Sequence, residues 1–129
     1  MMEQPTDRNL YEYAVLRYVP HVERQEFVNI GLLMLCKRRR WLCGRVELDA
    51  GRLAAFDREV DLEVLRRQTA MFERTDLPAP TLPAEEKYRW LTAVKSASLQ
   101  VSPSHPGLLR GDVNPEQEFE RLFSLLVKT

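Results

Sequence analysis

The stretch "EFVNIGLLMLC", Glu26 to Cys36, limits the possible folds more than any other part of the chain. Both of its alternating sets are apolar. Val28, Ile30, Leu32 and Met34 form one, while Phe27, Leu33 and Leu35 dominate the other. Successive side chains of a strand point to opposite faces, so this pattern predicts a central strand covered on both sides.

Its neighbours are legible on either side. "LYEYAVLRYV" (Leu10–Val19) is rich in Tyr, Val and Leu, and Pro20 cannot continue a paired strand. "WLCGRVELD" (Trp41–Asp49) alternates, with Leu42, Val46 and Leu48 on one side and Arg45 and Glu47 on the other. Short connections between the three predict an antiparallel meander. A two-residue turn centred on Arg39 and Arg40 would set Cys36 opposite Cys43.

The second half turns helical. "DLEVLRRQTAMFERT" repeats apolar residues at helical spacing, Leu62, Leu65, Met71 and Phe72 with Val64 beside them, and Asp61 is the N-cap. The prolines of "LPAPTLP", Leu77–Pro83, forbid a continuous helix. "AEEKYRWLTAVKSA" predicts another helix with Tyr88, Leu91 and Val94 inward. "SLQVSPSHPGLLRG" reads as short extended segments about a turn. The last element carries the fullest start signal: Asn114 caps, Pro115 takes the first helical position, and Gln117 stands three residues after the cap. Phe119, Leu122, Phe123 and Leu126 then form one stripe. The expected fold is α+β: a single domain over residues 1–129, with an antiparallel meander at about 10–49. The helical and mixed half, about 51–127, packs its helices mainly on one face of the sheet.

At 129 residues, 44% hydrophobic and 29% charged, the composition is that of one globular domain. No apolar run reaches membrane-spanning length. "MMEQPTDRNLYEY" lacks a signal-peptide pattern, so a cytoplasmic protein with Cys36 and Cys43 reduced is expected. Net charge is zero, yet Arg8–Arg45 holds eight lysines and arginines against three acidic residues. That excess either marks a basic face or disappears when the two halves meet.

No Gly-rich phosphate loop occurs, and no cofactor is expected. Cys36, Cys43, His21 and His105 lack metal-ligand spacing, so no metal is expected either. Polar residues set among apolar ones are the remaining signal. Glu26 opens an apolar strand and needs a cation, for which Arg17 and Arg24 flank the reversal of the chain. Asn29 needs a hydrogen-bond partner, and the missing side chain at Gly31 admits a backbone, a ring or a ligand.

Taken together, Tyr11-x-Tyr13, Arg17-Tyr18-x-Pro20, Arg24-x-Glu26 and Asn29-x-Gly31 resemble the signature of a bacterial family, domain of unknown function 3037. "SLQVSP" and the closing helix resemble the family's second half. The resemblance implies no activity. It implies a possible partner, a kinase-like protein of the HipA type often encoded beside such proteins. Arg17, Pro20, Arg24, Glu26, Asn29 and Gly31 match the motif as a group, and are either a structural polar network or the lining of a shallow pocket at the sheet edge.

The turn "KRRRW" places four cations, Lys37, Arg38, Arg39 and Arg40, beside the indole of Trp41. Such a group could contact phosphates and stack on a base, or simply solvate a hairpin tip. The favoured reading is a non-catalytic interaction or regulatory module acting on a protein partner. The alternatives are a nucleic-acid-binding module using Lys37–Trp41, and a small enzyme or nuclease-like protein using Arg17, Glu26 and Asn29.

Overall fold

A computed structural model of the chain describes residues 8–74, 76, 78–93 and 96–128. Three long strands come first: β1 (Leu10–Tyr18), β2 (Val28–Cys36) and β3 (Trp41–Val46). Helices α1 (Ala50–Phe56), α2 (Leu62–Thr69) and α3 (Ala84–Thr92) follow, then β4 (Leu99–Val101), β5 (His105–Leu108) and α4 (Pro115–Leu126). The sheet is antiparallel in the order β3-β2-β1-β4, and β5 also pairs with β1. β4 and β5 lie end to end along one edge of β1, parted by Ser102-Pro103-Ser104. The fold is α+β, as expected.

The Ser102-Pro103 step has a local cause. Pro103 has no N–H to give the ladder. Ser102 compensates: its N–H donates to Val15 O at 2.9 Å, and its Oγ accepts from Val15 N at 2.9 Å. A hydroxyl thus continues the pairing across the interruption.

β2 is covered on both faces. Ala14, Leu16, Val28, Ile30, Leu33 and Leu35 meet α1, α2 and α3 through Leu53, Leu65, Tyr88 and Leu91. On the opposite face Val15, Leu32, Met34 and Cys36 meet α4 through Phe119, Leu122 and Phe123. Among the described residues the α-helices thus lie three to one, with α4 on the second face.

The apolar sets of β2 differ from simple alternation. Val28 and Ile30 belong to one face but Leu32 and Met34 to the other. The reason is a β-bulge. Arg17 pairs with Asn29 and Leu16 with Gly31, leaving Ile30 as an extra residue on β2. A bulge shifts the side-chain period by one, so the faces exchange there. Gly31 sits in the tightened stretch, where a Cβ would lie 3.0 Å from Arg45 O and 3.2 Å from Leu16 Cβ. Backbone and a core side chain fill the space the missing side chain leaves.

The basic hairpin also differs from expectation. Its connection is four residues long, a 3-10 turn at Lys37–Arg39 closed by Arg40 in the left-handed region (φ 53°). Cys36 therefore faces Trp41, and Cys43 faces Met34. β2 itself begins at Val28, two residues later than expected, so Glu26 precedes the strand. Val94 and Leu77 lie outside the described residues.

Helix caps follow the sequence signals closely. Asp61 Oδ1 accepts from Val64 N, and Asn114 and Gln117 form a reciprocal capping box at α4. Glu85 and Glu86 occupy the first turn of α3. α1 carried no clear periodic signal: it has seven residues and buries only Leu53, with Asp49 accepting from Arg52 N as its cap. Among the described residues no helix is long and apolar enough to cross a membrane.

β3 borders the 3-10 turn Ala70–Glu73, and the contact is closest at Gly44. A Cβ there would collide with the carbonyl oxygen of Phe72 and crowd Leu33. Gly51, in contrast, has only Asp49 Oδ1 nearby, at 3.6 Å. Gly44→Ala is expected to lower stability by about 3 kcal/mol through overpacking against backbone. Gly51→Ala should raise it by about 0.5 kcal/mol through helix propensity. Urea midpoints of the two variants check the contrast.

Candidate functional site

The six polar and turn residues of the motif do not converge on one site. Pro20, Arg24 and Glu26 line a cleft of 520 Å³ against the end of α1, with Phe56 and Asp57 opposite. Arg24 Nε meets Glu26 Oε1 at 2.6 Å, and both side chains are more than half exposed. The expected partner of Glu26 is therefore present, but solvent screens the pair, and such pairs contribute about 0–1 kcal/mol. Beneath the cleft Tyr18 donates its hydroxyl to Asp57 Oδ2 at 2.7 Å, which lowers the Asp57 carboxyl below its ordinary range.

Arg17 and Asn29 occupy the α4 face, opposite each other on β1 and β2. Asn29 Nδ2 donates to Leu126 O at 3.0 Å, and Arg52 Nη1 donates to Val127 O at 2.6 Å. The last carbonyls of a helix have no partner within it. An amide and a cation from the sheet and from α1 satisfy them here, the cation also complementing the negative end of the helix dipole. The Arg17 guanidinium lies 4.2 Å from the ring centre of Phe27. Arg17 Nε and Asn29 Oδ1 are buried without a hydrogen-bond partner among the described residues.

Arg17, Glu26 and Asn29 are thus engaged in three different ways: a ring, an exposed cation and a helix terminus. Among the described residues no three His, Cys, Asp or Glu side chains gather as metal ligands. Cys36 and Cys43 are free thiols. Burial pushes the Cys36 thiol up to about 11 and raises that of Cys43 as well. Both stay protonated near neutrality, which suits packing and not nucleophilic attack.

The basic turn borders a cleft of 780 Å³ between β3 and the start of α3. Leu42, Leu82 and Pro83 supply apolar walls, and Lys37, Arg40, Glu85 and Lys87 stand among the lining residues. Lys37 Nζ lies 3.1 Å from Glu85 Oε2. Arg39 points the other way, donating to Arg8 O and to Asn9 Oδ1, and so ties the hairpin to the start of β1. Trp41 is half-buried: its Nε1–H donates to Glu116 Oε1 at 3.0 Å, and its ring meets Phe119 edge-on. The indole is therefore turned toward α4 and away from the role of a stacking platform.

One group escaped the sequence reading. Glu118 is only 8% exposed on the inner side of α4. It accepts from Tyr11 OH at 2.5 Å and from Arg121 through Nε and Nη2, each at 2.8 Å. These bonds from Arg121, aided by Tyr11, hold the Glu118 carboxyl below the ordinary carboxylate range against the opposing effect of burial. The Tyr11 ring in turn presses close to Gly107, where any Cβ would strike it. The sequence signal was a carboxylate one turn before Leu122, within the apolar stripe of the closing helix.

A family model described as Protein of unknown function (DUF3037) matches residues 13–127, and the chain belongs to that family. Neither a search of curated proteins nor one of solved structures found a match.

Two expectations follow. Asn29→Ala, which strips a helix end of its donor, should cost about 1–2 kcal/mol in chemical denaturation, while Glu26→Gln should change stability by less than about 0.5 kcal/mol. The second concerns pH. Tyr11, Tyr18 and Tyr88 are each pushed from 10.0 up to about 12, chiefly by burial. Above pH 10 the unfolded chain has lost these protons while the folded chain still holds them, so stability falls as pH rises from about 10 toward 12. Each ring contributes up to roughly 3 kcal/mol to that fall. Denaturant midpoints at pH 9 and pH 11 test it, and Tyr11→Phe should show a shallower decline than the parent.

Proposed function

We propose that this chain is a non-catalytic interaction module of the bacterial cytoplasm that acts on a protein partner through the cleft beside its basic turn. One observation carries the reading: a hollow of 780 Å³ joins apolar walls from Leu42, Leu82 and Pro83 to the cations Lys37 and Arg40. Apolar surface supplies affinity at protein interfaces, and charge at the rim steers encounter. The Lys37–Glu85 pair is exposed and exchanges readily for a partner carboxylate. Two unpaired thiols fit a reducing compartment. The dispersal of Arg17, Glu26 and Asn29 favours this reading over a catalytic one. The inward engagement of Arg39 and Trp41 favours it over nucleic-acid binding.

The partner to test first is a HipA-type kinase-like protein, which the family resemblance implies. Arg39 is spared in the test because it holds the start of β1. With purified components, Lys37→Glu combined with Arg40→Glu should leave the circular dichroism spectrum unchanged, slow association by about tenfold and flatten its salt dependence. No complex with the parent chain would remove that partner. Suppose instead that the parent binds duplex or single-stranded nucleic acid at micromolar or tighter affinity in physiological salt, and that the variant loses it. The turn is then a phosphate-binding element, and the nucleic-acid reading replaces this one.

A further inference from the structure

The basic turn separates two hollows, and Lys37 lines both. The second is smaller, 310 Å³, with walls from Leu10, Tyr11, Leu35 and Pro106 and with Lys37 and Arg38 at its margin. It is the more apolar place on this surface. Leu10 pairs across the sheet with Leu108, and the two are 49% and 46% exposed. Glu12 also borders the hollow, but Arg89 neutralises it, with Nη2 3.2 Å from its Oε2.

From this juxtaposition we infer the chemistry of the occupant: a short acidic segment of a protein partner that seats one large apolar side chain between Leu10, Leu35 and Pro106 and lays carboxylates along Lys37, Arg38 and Arg40. The inference rests on the interaction-module reading and names its ligand. A cavity of this size takes one large side chain, being at the low end of the about 300–1,000 Å³ of ligand pockets. Lys37 and Arg40 line the larger hollow and Lys37 and Arg38 the smaller, and cations in those walls favour an occupant of opposite charge. The Glu85 carboxylate on Lys37 already displays the contact that a partner carboxylate would copy. A phosphodiester strand offers the charge but no aliphatic anchor for the smaller hollow, so a peptide fits the pair of hollows better.

The test uses three synthetic peptides. The probe alternates glutamate and serine around a central pair of leucines. One sibling has glutamine for every glutamate, and the other has serine for the leucines. Binding is read by fluorescence anisotropy and located by amide shifts in nuclear magnetic resonance. The probe should shift the signals of Leu10, Leu35 and Lys37, and each sibling should bind at least about tenfold more weakly. Leu10→Ser and Lys37→Glu, both at exposed positions, should weaken the probe by a similar factor while the spectrum stays folded. Equal binding of the siblings, shifts confined to another surface, or no binding of the probe overturns the inference. So does tighter binding of a single-stranded oligonucleotide at the same residues. If a kinase-like protein still binds with the Lys37 and Arg40 dependence described above, the interaction reading survives and only this account of its ligand falls.

Discussion

An apolar strand exposed on neither side cannot exist in a two-layered protein, and β2 is such a strand. Its burial requires a helical layer on each face of the sheet. α1, α2 and α3 close one face, and α4, arriving last in the chain, closes the other. The bulge at Ile30 and Gly31 sets how the two layers divide the strand. Beyond it the faces exchange, so that Leu33 and Leu35 continue the core begun by Val28 and Ile30. Without the extra residue, Leu32 and Met34 would face the three-helix side and α4 would lose the anchors it rests on.

α4 depends on polar ties as well as on its stripe. Its closing carbonyls are held by Asn29 and Arg52, and its buried carboxylate by Tyr11 and Arg121. On its other flank Arg45 grips Glu120 through two nitrogens and covers Phe119 and Phe123. Apolar packing tolerates small rotations of a helix on a sheet, whereas directional bonds at both ends do not. Asn29, a motif residue, thereby fixes the register of an element almost a hundred positions away. Polar groups within an apolar stretch can specify one docking among several of similar hydrophobic gain.

The sequence made local events legible and left distant ones hidden. Caps at Asp61 and Asn114, the apolar stripe of α4 and the double-faced character of β2 are written in neighbouring residues, and each appears in the structure. The bulge is not, because it comes from how two strands pair and leaves each strand's own pattern ambiguous. The same holds for the partners of the candidate-site residues. Glu26 finds Arg24 two positions away, while Asn29 finds Leu126 and Trp41 finds Glu116 across the fold. The four-residue turn was obscured because Arg40 takes a left-handed conformation that glycine or asparagine usually announces. The division of the basic turn into Lys37 at a cleft and Arg39 against β1 is a matter of side-chain direction within a 3-10 turn, invisible in a run of like charges.

Gly44 has a bearing on how copies of this chain behave toward one another. The bare backbone of β3 at Gly44 lets Phe72 press its carbonyl onto one face of this edge strand, and the neighbouring Glu73 accepts from Val46 N at the margin. At the opposite margin Pro103 and Pro106 break the row of donors that another strand would need. Both margins are therefore poor templates for a strand from a second molecule, and growth of the sheet from chain to chain is discouraged. A glycine that admits close packing within one molecule thus also helps to close one margin of its sheet to a second.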